Sequence, residues 1–408
     1  MGASLANLDQ ALREDYQPGV REELNNANVL LAQVEKNERD VEGRRAVLSL
    51  HVTRNSGVGA RLEGGIKPTA GNQGYAEERV PLKTNMAVVT FTQEVILQTK
   101  TDKGSFVRAV DSELTRAKDD LKRDVNRQLW GTTDGVIATA GTTTASTTVQ
   151  LAAATPLSAM RELEVGMYID LGTVAAPQTV ASNRQITAVD SVNKTITISG
   201  AAVTTTSSHK VFRTGLNATS SANNVELTGV QSIVATSGTL FNVDPATYPV
   251  WATPTASFNT SGGSISENAV TKVQDNIAIA SGQEADLIIS SYGVRRAYAT
   301  LLTTNKRFVN TVDLKGGFKG LDVSNGGSPT ALVVDRDCPD GTMWLLNTSH
   351  LFEYQASDWE FQNDDGSILA RQTGAGSSLS YEGTIYKRHE FTTDMRNAHG
   401  ALTGLTEA

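Results

Sequence analysis

The chain has one cysteine, Cys338, in 408 residues. A single thiol cannot close a disulfide framework or build a Cys-based zinc site, since each needs at least two, so nothing in the sequence calls for an oxidising compartment. No apolar run approaches the roughly 18 residues of a membrane span, and residues 1–12 carry neither a basic n-region nor an apolar h-region; the expectation is an intracellular, soluble protein without a membrane partner. A basic excess is missing as well. The 36 Lys and Arg against 44 Asp and Glu leave a formal charge of −8, which favours solubility and argues against a dedicated nucleic-acid binder. Aromatic residues make up only 6%, too few for the clustered aromatics of a carbohydrate-binding or hydrolytic cleft. Hydrophobic residues (39%) and charged residues (20%) both fall below the usual levels of about 45–50% and 25%, and small or uncharged polar residues fill the gap.

Motifs that carry chemistry are absent too. The stretch from Gly57 through Gly59 to Leu62 fails G-x-G-x-x-G at its third glycine, and no G-x-x-x-x-G-K-[ST] occurs. His51, His209, His350, His389 and His399 are scattered singly, with no H-E-x-x-H spacing to put two ligands on one helix face. Asp335, Asp337 and Asp340-Gly341 have a superficial likeness to a calcium loop. Pro339 stands in place of the third ligand, however, and Leu346 in place of the bidentate glutamate, so a polar turn between two strands is expected. The adjacent carboxylates Glu77-Glu78 and Asp364-Asp365 have nothing apolar around them to part their pKa values and read as solvated loops. Cys338, between Asp337 and Pro339, reads as an inert, at least half-buried thiol. Sequons at Asn193, Asn217, Asn259 and Asn347 follow from an Asn/Thr/Ser-rich composition. The protein is therefore expected not to be an enzyme, with no catalytic, cofactor-binding or metal-binding residue.

What is present is an order of parts. Residues 1–43 are charged and mostly helical in pattern: Leu5, Leu8 and Leu12 share one face, and Val20, Leu24, Ala27, Leu31 and Val34 form a narrow stripe that needs a partner. Residues 46–53 alternate as a half-buried strand does, and a second strand is expected over 86–97. Between them lie some thirty residues rich in glycine and in charges of both signs, with almost no core material. Loops of that length are uncommon unless functional or disordered, and a projecting β-arm resting on another subunit would satisfy both strands and tip. The clearest helix is expected over 105–130, with Val107, Val110, Leu114, Ala117, Leu121, Val125 and Leu129 on one stripe and Gly131 as its stop. Residues 137–156 are Thr/Ala/Ser-rich and read as a linker or exposed loop. Short β-like runs at 167–171, 184–189, 195–198 and 210–213 suggest a small inserted β domain. From about residue 264 the pattern is α/β-like: a helix ending at Gly282, a buried strand over 286–290, a helix over 292–302, and strands at 331–334 and 342–346. The last 50 residues alternate again, with Tyr381, Ile385, Tyr386 and Phe391 interrupted by Lys387, Arg388 and Glu390.

This order resembles the major capsid proteins of tailed bacteriophages, the Hong Kong-phage capsid fold. Several stretches carry the resemblance: Gly229-Val-Gln-Ser-Ile233, Gly238-Thr-Leu-Phe, Asp244-Pro-Ala and Tyr248-Pro-Val-Trp251 after the long helix; Asp286-Leu-Ile-Ile-Ser290 ahead of Tyr298; Phe318-Lys-Gly320-Leu-Asp, Val334-Asp335, Pro339-Asp-Gly-Thr342 and Leu345; and the late Asp364-Asp-Gly366 and Arg396-Asn-Ala-His-Gly400. The resemblance implies an α+β subunit with an N-terminal arm (1–43), an extended β-loop (44–98) lying across a neighbour, a peripheral domain built on the long spine helix (99–156, continued over 217–263), an inserted small β domain (157–216), an axial domain (264–375) and a C-terminal return (376–408). It implies a shell of hexamers and pentamers of one chain, in the virion, enclosing double-stranded DNA through weak nonspecific contacts and assembled in the bacterial host cytoplasm. A portal, a maturation protease and, in some members, a decoration protein are implied as partners. The 43-residue arm is too short to be a fused scaffold domain, so a separate scaffolding protein is expected. Some members cross-link an extended-loop lysine to a neighbour's asparagine; the lysines available for that here are Lys67 and Lys83. Acidic charge suits such a container, because a shell that neutralised phosphates would trap the genome. The alternative reading is another phage structural protein, such as a tail-tube or decoration protein, against which the long charged helix argues.

Overall fold

The structure, a computed structural model, describes residues 29–38, 41–92, 103–215, 225–254, 256–257, 263–304, 311–313, 319–323, 330–363, 370–371 and 380–407. Residues 1–28 of the expected arm, residues 93–98 of the second loop strand, Phe318 and Asp364-Asp-Gly366 lie outside them.

The long helix runs over Lys103–Trp130. Its C-terminal half buries Leu121, Val125, Leu129 and Trp130, the stripe expected from an apolar residue every three or four positions, and Gly131 follows as the stop. This stripe packs under a six-stranded sheet whose centre is the long strand Ser380–Thr393. On one side that strand pairs with Lys83–Thr92 over its whole length, from Ser380↔Thr92 to His389↔Lys83. On the other it pairs with Leu351–Gln355, to which Glu35–Asn37 adds a parallel edge. The helical stripe expected to continue through Val34 therefore stops early: the helix is Val29–Gln33, and the charged residues after it pair as an edge strand, with Glu35 opposite Phe352.

A three-stranded sheet, Val41–Glu42, Arg45–Thr53 and Gly74–Pro81, stands on this sheet. Ala46 and Val80 seat its base on Tyr354, with Leu48, Leu82 and Phe352 around them. The strand Gly74–Pro81 corrects the expectation of a single loop from 54 to 85. Its inward positions are Ala76, Glu78 and Val80, so a glutamate interrupts the alternation that would have revealed it.

The second large sheet has seven strands, in the order Ala256–Ser257, Gly400–Thr403, Met343–Leu346, Leu287–Ser290, Thr330–Val334, Lys319–Val323, Thr311–Asp313. Its central strand is apolar on both faces, as the unbroken Leu287-Ile288-Ile289 requires. Leu287 and Ile289 join the core that holds the spine helix, whereas Ile288, Leu332 and Leu345 meet the helices Glu267–Ser281 and Tyr292–Thr304. Ser266 caps the first of these helices, its hydroxyl accepting from the Ala269 N–H, and Gly282 ends it in the left-handed conformation (φ 72°).

The β module has its own core of Ile137, Val149, Leu151, Ile169, Leu171, Ile186, Ile196, Ile198 and Val211. Its sheet order is Val136–Thr139, Lys210–Arg213, Tyr168–Thr173, Ala176–Asp190, Thr195–Ile198, Thr148–Gln150, and Thr143–Ser146 pairs separately with Val203–Thr205. The stretch 137–156 is thus not a linker: its strands belong to the module, which starts ahead of residue 157. Threonine-rich strands that turn only one or two aliphatic residues inward leave little hydrophobic signal.

Candidate assembly interface

One turn of the spine helix holds three parts of the molecule together. The Asp124 carboxylate accepts from Arg127 (3.0 Å) and pairs with Arg213 of the β module at 2.9 Å. The Asn126 amide donates to Asp335 (2.9 Å) and Asp337 (2.6 Å) in the turn after Thr330–Val334. The Arg127 guanidinium forks onto Glu226 at 2.6 and 3.1 Å, and the Gln128 side-chain oxygen accepts from the Leu227 N–H at 3.0 Å. Burial alone would lower the Arg127 pKa, but Glu226 and Asp124 beside it drive it above its ordinary value, so the buried guanidinium stays charged. Here the structure uses Asp335 and Asp337 as anchors for Asn126. No group of three or more His, Cys, Asp or Glu able to hold a metal occurs among the described residues.

A second set of buried polar groups ties the return strand to its neighbours. Lys387 pairs with Glu353 at 2.6 Å, and His389 Nδ1 lies 2.6 Å from the same carboxylate. Burial would raise Glu353, yet the Lys387 ammonium and the His389 imidazole hold it well below the usual carboxylate range. Lys83 pairs with Glu390 at 2.8 Å, and the Thr228 N–H donates to that glutamate at 2.6 Å. Arg396 pairs with no carboxylate among the described residues: its guanidinium donates to the carbonyls of Ile233 (2.7 Å), Ser232 (2.9 Å) and Gly238 (3.0 Å), and burial pushes its pKa down to about 10. Close by, the His399 ring bridges the Asn347 N–H (3.2 Å) and the Thr393 hydroxyl (2.9 Å), and burial pushes its pKa down to about 3, which keeps it neutral. The Arg396-to-Gly400 run thus acts as a joint between the two large sheets.

The base of the projecting hairpin is closed by Glu78. This side chain is fully buried, and its Oε1 accepts from the Thr392 hydroxyl at 2.9 Å. Burial raises its pKa to about 8, with the Asp394 charge adding to the shift. Glu77, one residue earlier, faces solvent and is held below its ordinary pKa by the Arg79 guanidinium at 2.9 Å. The reading of Glu77-Glu78 as a solvated pair is therefore half wrong: a strand sends adjacent residues to opposite faces, and only one of the two faces the other sheet. The far end of the hairpin, residues 54–73, touches no core, and Val58, Leu62 and Ile66 are 83%, 88% and 90% exposed.

No family model matches the sequence, and no curated protein does. Among solved structures, the cyanophage A-1(L) capsid asymmetric unit matches over 93% of this chain and 92% of that one, with a TM-score of 0.54 at 11% identity. The chain has the Hong Kong-phage capsid fold. A structure from Mycobacterium phage Bobi matches over 99% of both chains at 10% identity and a TM-score of 0.45. One from Microbacterium phage Oxtober96 matches over 92% and 90% at 10% and 0.45. The two loop lysines named in the sequence have different surroundings. Lys67 lies on the exposed tip, whereas Lys83 is buried against Glu390 at the hairpin base, where its amine is already committed. Cys338 is buried, its thiol pushed far above its ordinary pKa by burial, in keeping with an inert role.

Proposed function

We propose that the protein is the major capsid protein of a tailed bacteriophage, self-assembling as hexamers and pentamers into an icosahedral shell around double-stranded DNA. The observation that supports this best is the match to the cyanophage A-1(L) capsid asymmetric unit along 93% of the chain. Fold alone does not assign function, and the second support is physical. The hairpin is well built at its base and carries apolar residues into solvent at its tip, which suits a part that is completed by another copy. In this reading residues 44–98 are the extended loop, the spine helix carries the peripheral domain, residues 264–375 are the axial domain, and the β module is an exposed insert. The role is mechanical and non-enzymatic. The subunit resides in the virion after assembly in the host cytoplasm, with a separate scaffolding protein, a portal, a maturation protease and in some shells a decoration protein as partners. A tail-tube or decoration role gains no comparable support. Electron microscopy of the expressed chain, with and without a scaffolding protein, tests the reading: closed shells or capsomers are expected, and tubes or monomers under all conditions would refute it.

A further inference from the structure

Lys387 puts an amine where its strand turns toward the core. The inward row of the return strand reads Ile385, Lys387, His389, Phe391, and Ile385, Phe391 and Trp359 belong to the core around the spine helix. Lys387 is 1% exposed, and its ammonium lies 5.7 Å from the centre of the Trp359 ring. Two carboxylates converge on it: Glu353 Oε1 at 2.6 Å, from the strand Leu351–Gln355, and Asp358 Oδ1 at 3.8 Å, from the turn after that strand. Glu353 is buried, with His389 Nδ1 at 2.6 Å from the same oxygen. Half-buried Lys36 stands close enough for the Lys387 charge, after burial itself, to lower its pKa.

An ion pair uses only part of this arrangement. Amide formation needs an amine, a carboxyl group to receive it, a second acid to move protons, and a dry site, and all four are present. The Trp359 N–H donates to Asp358 Oδ1 at 2.8 Å, so the oxygen nearest the amine already has a backbone donor placed to hold negative charge. The Asp358 side chain is 26% exposed, which leaves a path for a departing water. Glu353, held ionised by its neighbours, is ready to accept a proton from the ammonium. Separated charges in a core are also less favourable than a neutral group of similar volume.

We propose that Lys387 and Asp358 join in an isopeptide bond within one subunit, with Glu353 carrying the protons. Lys387 Nζ attacks Asp358 Cγ; the N–C bond forms and one C–O bond breaks. Two of the three ammonium protons pass through Glu353 to the leaving oxygen, which departs as water, and Glu353 ends ionised beside His389. The reaction consumes no oxidant, reductant or cofactor. The separation of 3.8 Å is close to the roughly 3–3.5 Å of a reactive approach, and the flexible lysine stem can cover the difference. The bond would tie the turn at 356–359 to the middle of the return strand. It goes beyond the capsid reading and does not depend on it.

The test is the intact mass of the purified full chain, followed by tandem mass spectrometry of its tryptic digest. The wild-type chain should be lighter by one water than its sequence requires, and the digest should contain a branched peptide joining position 358 to position 387. Asp358→Ala, a change in a partly exposed turn, should restore the full mass, as should Glu353→Gln. Asp358→Asn should still join, with ammonia leaving in place of water and the same final mass as the wild-type product. A wild-type chain that keeps its full mass after long incubation, or a branch on Lys36 in place of Lys387, would overturn the proposal. A lighter Glu353→Gln chain would overturn the role given to Glu353. Assembly is not read in this experiment, so the capsid reading stands or falls separately.

Discussion

A carboxyl buried without a cation beside it keeps its proton, and Glu78 meets that condition. Its one described partner is the Thr392 hydroxyl at 2.9 Å, and its pKa rises to about 8 because burial disfavours the charge. The unfolded chain would titrate this group near the ordinary glutamate value of about 4.3. Between those two values the folded state binds one more proton than the unfolded state. Its contribution to stability is therefore complete below the lower value and is lost as pH rises through about 8, at up to ~1.4 kcal/mol per pH unit. His399 works in the opposite sense: its lowered pKa gives stability that is present above about 6.5 and lost as pH falls. Replacing Glu78 with Gln keeps the shape and removes the ionisation. Urea unfolding of Glu78→Gln at pH values of about 5, 7 and 9 should show a wild-type decline that is steepest between about 5 and 7 and levels off above about 8, and that the variant lacks. Equal slopes for the two proteins would show that Glu78 is ionised in the folded state. Glu353, equally buried, behaves in the reverse way because Lys387 lies 2.6 Å from it, so the partner and not the burial decides the sign.

Elements differ in how far they depend on the rest of the chain. The β module enters and leaves through adjacent antiparallel strands, with Val136 opposite Phe212 and Thr139 opposite Lys210, and it buries its own apolar core. Its ties to the body are polar: Asp124 to Arg213, Arg336 to Glu162 at 3.7 Å, and the Arg161 guanidinium to the Arg336 carbonyl. A fragment of about 80 residues with such a core is long enough to fold alone. Residues 134–215 expressed separately should give a β-type circular dichroism spectrum and one cooperative thermal transition; a disordered spectrum would show that the spine helix is needed to complete the module. The same elements explain what can be read from sequence. The spine helix, the Gly282 stop and the strand at Leu287–Ser290 are legible because their burial follows one local period. The strand Gly74–Pro81 is not, since Glu78 occupies an inward position, and neither is the burial of Lys387 and Glu390, whose partners Glu353 and Lys83 are far away in sequence. The alternation of residues 46–53 and of the last 50 residues is legible as well, but the joints between these strands and their neighbours depend on pairings that no local pattern encodes.

At the scale of the whole molecule, the shortage of hydrophobic and charged residues meets a particular use of the charges that remain. The 36 cations are already fewer than the 44 acids, and the structure withdraws several more from solution. Arg127 is committed to Glu226, Lys83 to Glu390, Lys387 to Glu353, and Arg396 to backbone carbonyls. In the tip, Arg61 also donates to carbonyls of its own loop. Affinity for duplex DNA at physiological salt comes mainly from cations that displace counterions from phosphates, and its salt dependence scales with their number. A free subunit of charge −8 with its strongest cations turned inward should therefore bind duplex DNA weakly and with a shallow salt slope. Fluorescence anisotropy of purified subunits against labelled duplex, repeated from low to physiological salt, measures both quantities. Tight binding with a steep slope would mean that a cationic face survives the internal pairing. On the capsid reading proposed above, weak binding would leave confinement to the closed wall, whose strength would then come from contacts between copies and not from contacts with the cargo.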